Sequence, residues 1–112
     1  MYTVYHNPRC KKSRAGLQYI IEHKMEHQVR EYLKDLLTEK ELTALVMKLN
    51  VKPFELIRTQ EDYYKKELKG LNLNDEEWIK VMVAYPKLIH RPIIEGKYKA
   101  VVGDPVENIS QL

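Results

Sequence analysis

The chain has 112 residues, of which 44% are hydrophobic and 31% charged, a composition typical of one soluble globular domain rather than of a disordered protein. Nineteen basic and sixteen acidic residues leave a net charge of +3 with no dense lysine and arginine block, which argues against direct nucleic-acid binding. The apolar runs are too short to span a membrane, and the single cysteine excludes an intramolecular disulfide and favours a reducing, cytoplasmic compartment.

The first predicted elements form a strand, a helix and a second strand. Alternating apolar and β-branched residues predict a strand over residues 2–6, which stops at a turn-forming Asn-Pro pair. Apolar residues at helical spacing then predict an amphipathic helix over residues 13–24, with Cys10 and its followers in the first turn. A second strand is predicted over residues 28–32. A strand, a helix and a strand in this order imply a parallel strand pair.

The middle of the chain is predicted to be largely helical. Thr38 and Glu41 have the spacing of a capping box, which predicts a helix over residues 39–49. Asn74 and Glu77 repeat that spacing inside the segment 53–85, which begins with a proline suited to the first position of a helical turn.

The last elements are predicted to be a hairpin and a helix. Two short extended runs, residues 93–95 and 98–102, are joined by Gly96 and Lys97, a pair that can close a hairpin. Asp104 as the cap and Pro105 as the first helical residue then predict a terminal helix. The order of elements predicts an α/β fold with a mixed sheet.

Cys10 is the strongest candidate for chemistry in the chain. A thiol is a nucleophile only as the thiolate, and a helix N-terminus stabilises that anion through its free backbone N–H groups and the helix dipole. Ser13 can donate a hydrogen bond to the sulfur or cap the helix. Four basic residues surround the cysteine: Arg9, Lys11, Lys12 and Arg14. These features favour a reactive thiol over an inert buried one, and they would also attract an oxyanion.

Two common uses of such a cysteine do not fit this sequence. A phosphatase-type anion loop needs an arginine six residues after the cysteine, where this chain has Gly16. A dithiol oxidoreductase needs a second cysteine three residues on, where this chain has Ser13. Any disulfide of Cys10 must therefore be made with another molecule.

The segment around the cysteine reads His-Asn-Pro-x-Cys-x-x-Ser-Arg and is formed by His6, Asn7, Pro8, Cys10, Ser13 and Arg14. This motif resembles the signature of the arsenate reductase family of the glutaredoxin-coupled type. Two further matches follow in order: Arg58, after a Pro-Phe pair, and Arg91-Pro92-Ile93 before the hairpin. The resemblance covers nearly the whole chain.

The resemblance implies a fold as well as an activity. The expected fold is a thioredoxin-like core with a mixed four-stranded sheet and a helical insertion, about residues 39–85, in one domain over residues 1–112. In such folds the proline at the position of Pro92 is typically cis and faces the active-site cysteine.

The chemistry that the resemblance implies begins with attack of cysteine on arsenate. Glutathione, a co-substrate rather than a bound cofactor, displaces the adduct, and glutaredoxin regenerates the thiol. Cys10 would be the nucleophile, His6 would tune the thiolate, and Ser13 would complete the catalytic set. The substrate-binding residues would be Arg58, Arg91, Asn7 and Arg14. Arginine suits this role because its planar fork presents several donors to oxyanion oxygens and stays charged.

Simpler roles remain open for two of these residues. Arg58 could be an ordinary helix-surface ion pair former with Glu61 or Glu55, and His6 could be a satisfied imidazole at a strand end. One position departs from the family, whose third arginine precedes a proline at the start of the last helix. This chain has Asp104 there. A carboxylate near a bound anion would oppose it by roughly several tenths to a few kcal/mol, depending on its exposure.

The alternative function is that of a binding module. Related thioredoxin-like proteins, the Spx-like regulators, bind RNA polymerase without turnover, and their redox-switching members use a cysteine pair that Ser13 interrupts here. The contact surface for such a partner would be Tyr63, Tyr64, Lys65, Lys66 and Lys69. No metal site is predicted, because His23 and His27 share a helical face only if the first helix reaches them and have no third ligand nearby.

Overall fold

The computed structural model describes residues 1–112, which form two compact units. The first, here called the sheet unit, consists of Met1–Leu36 and Arg91–Leu112. The second, the helical unit, is Leu37–His90 and interrupts the sheet unit in sequence. The helical insertion predicted over residues 39–85 falls inside the helical unit. That the whole chain acts as a single domain stays a prediction.

The sheet unit contains one four-stranded mixed sheet, as predicted. Its elements are β1 (Tyr2–Tyr5), α1 (Lys11–Glu22), β2 (His27–Arg30), β3 (Ile93–Glu95), β4 (Ala100–Val102) and a 3₁₀ helix at Val106–Gln111. The strand order is β2-β1-β3-β4, with β1 parallel to β2 and antiparallel to β3, and with β3 antiparallel to β4. The central strand β1 therefore joins the first residues of the chain to its last elements.

An apolar cluster holds α1 and the terminal helix against the sheet. Val4 of β1, Ile20 of α1, Ile94 of β3 and Ile109 of the terminal helix are at most 1% exposed and pack together. Fully burying an aliphatic side chain of this size contributes about 1.5–3 kcal/mol, so these four residues fix how the helices sit on the sheet. The end of β1, and with it the loop that carries Cys10, is anchored by this cluster.

The first three elements begin or end a few residues from their predicted bounds. The first strand stops at Tyr5, and α1 begins at Lys11, two residues before the predicted start, because the backbone carbonyl of Cys10 already accepts a helical hydrogen bond from Arg14. The second strand ends at Arg30, because the chain turns at Glu31, whose carbonyl accepts hydrogen bonds from Lys34 and Asp35.

The hairpin loop is longer than predicted. The second strand of the hairpin begins at Ala100 rather than at residue 98, so the connection covers residues 96–99. The Gly96 N–H donates to the Lys99 carbonyl at 2.7 Å, which closes a four-residue loop instead of a two-residue one. Tyr98 lies in this loop and projects into solvent, with 78% of its surface exposed.

The prediction that Asp104 caps the terminal helix is wrong. The helix is of the 3₁₀ type and begins at Val106, because Pro105 has extended dihedral angles (φ −66°, ψ 159°) and takes the capping position itself. Asp104 therefore lies outside the helix, and its carboxylate forms an ion pair with Lys12 in the first turn of α1.

The two main helices of the helical unit begin where the capping boxes predict. Helix α2 spans Glu39–Leu49 and α3 spans Asp75–Ala84, and in both the cap side chain and the glutamate three residues on exchange hydrogen bonds with each other's backbone N–H groups. Shorter segments complete the unit: 3₁₀ helices at Pro53–Leu56 and Pro86–Leu88, and a π-helix at Tyr64–Leu68. No helix of the chain combines the length and the apolar character needed to cross a membrane.

Candidate active site

Cys10 lies in the loop that joins β1 to α1 and occupies the position just before the helix. Its backbone is extended (φ −95°, ψ 123°), and its N–H donates to the Asn7 carbonyl at 3.0 Å, so the loop folds back before the helix starts. The thiol is half-buried. The cysteine is thus the cap residue of α1 and precedes its first turn, where the N–H groups have no partners within the helix.

Two side chains that were predicted to bind substrate hold this loop in place. The Asn7 side-chain oxygen accepts a hydrogen bond from the Arg9 N–H at 3.0 Å, which makes a tight turn just before the cysteine. The Arg14 guanidinium donates to the Pro8 carbonyl at 2.9 Å and ties the first turn of α1 to the same loop. A contact of either side chain with substrate stays a prediction.

Ser13 lies at the centre of a buried polar cluster with His6 and Asn7. Its hydroxyl oxygen is 2.7 Å from Nδ1 of His6 and accepts a hydrogen bond from the Asn7 N–H at 2.9 Å. Ser13 is 0% exposed and His6 6%. The serine hydroxyl was expected to reach the sulfur or cap the helix, but its partners are His6 and Asn7 instead. Buried polar groups need such partners, so the cluster fixes how α1 follows β1.

His6 is held in its neutral form by its surroundings. Burial lowers the pKa of His6 from its ordinary value of 6.5, an effect larger than the opposing one of the Glu31 carboxylate. The nearby Arg14 guanidinium lowers the pKa further. The neutral imidazole of His6 forms a hydrogen bond with the Ser13 hydroxyl and carries no charge of its own.

The surroundings of the Cys10 sulfur favour the thiolate. Burial of the thiol acts to raise its pKa, but the groups around it outweigh this effect and leave the pKa of Cys10 lowered. Those groups are the backbone N–H groups of Ser13 and Lys12 and the side chain of Arg91, which also contributes its charge. The backbone of Ser13, rather than its hydroxyl, is therefore what stabilises the sulfur anion.

Arg91 directly precedes Pro92, and its side chain contacts the Cys10 sulfur. The peptide bond between Arg91 and Pro92 is cis, the form that the resemblance implies. The Pro92 carbonyl accepts a hydrogen bond from the Gly103 N–H at 2.8 Å, and its ring packs on α1 so closely that a Cβ atom at Gly16 would lie 2.5 Å from the proline Cγ. A glycine at position 16 is thus what permits the proline to reach the helix.

Arg58, the other predicted oxyanion binder, belongs to the helical unit. Its guanidinium forms an ion pair with Glu61 at 2.6 Å, and both side chains are largely buried, with 17% and 27% of their surfaces exposed. Its backbone N–H donates to the Leu88 carbonyl at 2.7 Å. The pairing with Glu61 is the simpler role left open by the sequence, and a role of Arg58 in binding substrate stays a prediction.

One contact near the cysteine was missed by reasoning from sequence. The Lys12 ammonium lies 3.2 Å from a carboxylate oxygen of Asp104, although 92 residues separate them. The only signal that could have pointed to it was the replacement of the family's third arginine by Asp104. That departure indicated that the position was unusual, but not which group it would contact.

The surface suggested for a protein partner is part of the helical unit. The Tyr63 ring stacks on that of Tyr85 with 4.0 Å between the ring centroids, and the Tyr64 ring lies 6.3 Å from that of Phe54. The lysines at positions 65, 66 and 69 are exposed. The role of this surface in binding RNA polymerase stays a prediction.

The two histidines weighed as metal ligands do not share a helical face, because α1 ends at Glu22. His27 belongs to β2, while His23 stacks on Tyr19. No group of three or more metal-ligating side chains occurs in the structure.

Comparison with known proteins identifies relatives over almost the full length. The profile of the ArsC family matches residues 5–112. An arsenate reductase of Neisseria meningitidis serogroup A is 35% identical, with 95% of this chain and 92% of that protein aligned. The uncharacterized protein YfgD of Escherichia coli is 37% identical, with 97% and 93% aligned.

Solved structures agree with these relatives. The arsenate reductase from Vibrio cholerae is 32% identical, covers 98% of this chain and 95% of its own, and superimposes with a TM-score of 0.93. The expected α/β fold with a mixed four-stranded sheet is therefore confirmed. Family profile, relatives and fold agree, and the chain belongs to the ArsC family.

Proposed function

We propose that the chain is a glutathione- and glutaredoxin-dependent reductase in which the Cys10 thiolate attacks an oxyanion such as arsenate, or a disulfide. The observation that carries the proposal is the environment of the sulfur. It is half-buried at the start of α1, and two backbone N–H groups and the Arg91 side chain stabilise its anion. Membership of the ArsC family supports a thiol-dependent reductase in general terms.

The first step forms a bond between sulfur and arsenic. The thiolate attacks arsenate, and one arsenate oxygen leaves as water after it has been protonated, so arsenic stays in the +5 state. The Lys12 and Ser13 N–H groups and Arg91, which stabilise the thiolate, are also donors suited to the oxygens of the bound anion. The same groups would thus serve the nucleophile before the step and the adduct after it.

The reduction follows when glutathione attacks the sulfur of Cys10. A disulfide bond forms between the two sulfurs, the bond to arsenic breaks, and its electron pair goes to arsenic, which leaves as arsenite in the +3 state. A glutaredoxin thiolate then attacks the glutathione sulfur and releases Cys10 as thiolate. A thiol of low pKa leaves faster, so the groups that activate Cys10 as nucleophile also favour its release.

An external thiol is needed because the chain has no second cysteine. The position three residues after Cys10 holds Ser13, whose hydroxyl is occupied by His6 and Asn7. We assign to Arg58 the role of a second oxyanion binder, as the family resemblance implies. In that role its guanidinium would exchange the Glu61 carboxylate for substrate oxygens, two acceptors of the same kind.

The test is a coupled assay with glutathione, glutaredoxin and a glutathione reductase. We expect arsenate-dependent or disulfide-dependent turnover that is lost in Cys10→Ser, because serine cannot form the thiolate. An independent check is mass spectrometry of the protein after incubation with oxidised glutathione, which should show one glutathione on Cys10. If no substrate of either class gives turnover above that of the Cys10→Ser protein, the proposed function is wrong.

A further inference from the structure

A lysine and an aspartate form an ion pair beside the amino end of α1. Lys12 is two residues after Cys10, and its own backbone N–H is one of the groups that stabilise the Cys10 thiolate. Its ammonium lies 3.2 Å from the Asp104 carboxylate, and the two side chains are 69% and 39% exposed. The pair is therefore open to solvent and to an arriving substrate at the end of the helix where the cysteine lies.

The position of Asp104 is fixed by its neighbours in the chain. Gly103 donates a hydrogen bond to the Pro92 carbonyl at 2.8 Å, and a Cβ atom at Gly103 would lie 2.5 Å from Ile94. A Cβ atom at Gly16 of α1 would lie 3.6 Å from the Gly103 carbonyl, so this backbone passes close to the helix. Asp104 thus stands next to α1 because the backbone before it is packed there, and not only because of its contact with Lys12.

The consequence is a local balance of charge. Lys12 is a cation that could attract an anionic substrate to the sulfur, but Asp104 supplies an opposite charge at contact distance. Arg91 and the N-terminus of α1 attract an approaching anion. The Lys12–Asp104 pair has no net charge, so it adds no attraction, and its exposed carboxylate repels the anion. The balance weakens attraction for an anion in proportion to its charge and leaves an uncharged substrate unaffected.

We propose that Asp104, by neutralising Lys12, sets the charge preference of the Cys10 site and favours uncharged disulfides over doubly charged oxyanions. This inference rests on the proposed function and narrows its substrate class. With a disulfide, the thiolate forms a bond to one sulfur and the other leaves as a thiolate. Cys10 is oxidised to a mixed disulfide, the leaving sulfur is reduced, and glutathione then restores the Cys10 thiol by the same exchange.

The test compares an uncharged and a doubly charged disulfide of similar size. Hydroxyethyl disulfide carries no charge, and dithiodiglycolate carries two carboxylates. The measured quantity is the ratio of the two second-order rate constants for formation of the mixed disulfide on Cys10, followed by mass spectrometry. Because both reactions use the same thiolate, any change in the thiolate fraction cancels from the ratio.

We expect Asp104→Asn to raise the ratio of charged to uncharged rate constants about two- to fivefold, the range of exposed charge interactions. Asp104→Arg changes the charge by two units instead of one and should raise the ratio about four- to twenty-five-fold on the same scale. Glu22→Gln is the matched control, because it removes the same charge at the far end of α1, and its ratio should equal that of the wild type.

The double variant Lys12→Gln with Asp104→Asn tests whether neutralisation of the lysine is the cause. Removing both members of a neutral pair should return the ratio to near the wild-type value. The inference is overturned if Asp104→Asn leaves the ratio unchanged, or if the double variant keeps the raised ratio. Each rate constant describes a single reaction of Cys10 with a disulfide and does not require catalytic turnover. The inference can therefore be tested even if the coupled assay shows that the proposed function is wrong.

Discussion

The sulfur of Cys10 depends on residues that lie far apart in sequence. Ser13 and Lys12 supply their N–H groups because they form the first turn of α1, whereas Arg91 comes from the segment before β3. The stabilisation of the thiolate by these two N–H groups could be predicted from the sequence, because the cysteine directly precedes a predicted helix. The family resemblance named Arg91 as an oxyanion binder, but its contact with the thiolate depends on the strand order, which brings the beginning and the end of the chain together.

We expect Arg91→Met to raise the pKa of Cys10, because the variant removes a contact and a positive charge that both stabilise the thiolate. The measurement is the rate of alkylation by iodoacetamide as a function of pH. Its midpoint should move to higher pH in the variant. Arg9→Met is the matched control, because Arg9 directly precedes Cys10 in sequence but is not among the groups that lower the pKa of Cys10. Equal midpoints in Arg91→Met and the wild type would contradict the assignment.

The buried imidazole of His6 should make stability depend on pH. Burial lowers the pKa of His6 below its ordinary value of 6.5, so on acidification the unfolded chain takes up a proton before the folded chain does. The contribution of neutral His6 to stability is complete above about pH 6.5 and is lost as the pH falls through the lower, folded value. His6→Asn retains a hydrogen-bonding group for Ser13 but does not titrate in this range.

The measurement is the free energy of unfolding by urea at about pH 7.5 and about pH 5.5. We expect the wild type to lose more stability between the two values than His6→Asn does. A third measurement at about pH 8.5 serves as the control, because both proteins should be insensitive to the His6 proton above the window. Identical losses in the two proteins on acidification would show that His6 is not held neutral.

At the scale of elements, the reliable signals were those that act over three or four residues. The capping boxes at Thr38 and Asn74 correctly predicted where α2 and α3 begin, because a cap and its partner lie within one turn. The same reasoning failed at Asp104. There the extended backbone of Pro105 moves the start of the helix, and the aspartate contacts a lysine of another element instead.

The contact between Gly16 of α1 and Pro92 predicts that alanine at position 16 destabilises the protein, although helix propensity alone predicts the opposite. Alanine usually stabilises a helix by about 1 kcal/mol relative to glycine. At Gly16 the added methyl would lie 2.5 Å from the proline ring, and such overpacking typically costs about 1–3 kcal/mol. We therefore expect Gly16→Ala to lower the free energy of unfolding, by about 1 kcal/mol after the two effects are combined.

Urea unfolding monitored by circular dichroism measures this change. Ala15→Gly is the companion variant at an exposed position of the same helix, where only propensity acts, and it should cost about 1 kcal/mol. A Gly16→Ala protein more stable than the wild type would mean that Pro92 yields to the methyl group. Alkylation of Cys10 in the same variant reports whether a shift of the proline also carries Arg91 away from the sulfur.

At the scale of the whole molecule, the class of fold was predicted correctly from the sequence, whereas the reactivity of Cys10 stays a prediction and most of the contacts around it were not predicted. The mixed sheet followed from the order of strands and helices, and Cys10 from its place between β1 and α1. The partners of the Ser13 hydroxyl could not be predicted, because several acceptors and donors lie within reach of one side chain in an unfolded loop. Only the packed loop decides among them.

Pairing over long distances was the other gap. The ion pair of Lys12 with Asp104 joins residues whose separation in sequence carries no periodic signal. Arg58 and Glu61 were easier, since three residues separate them and both pairing and substrate binding could be named in advance. Contacts between residues within about one helical turn can thus be predicted from their spacing, whereas contacts between residues farther apart depend on the topology of the fold.

The sheet unit is assembled from two separated stretches, Met1–Leu36 and Arg91–Leu112. During synthesis the ribosome delivers Cys10 early, but β3 and Arg91 emerge only after the whole helical unit has been made. Until then β1 lacks one of its two neighbours, and the thiol lacks the guanidinium that stabilises its charge. We therefore expect the thiol of a nascent chain to be less ionised than that of the folded protein, because the contribution of Arg91 arrives only when β3 pairs with β1.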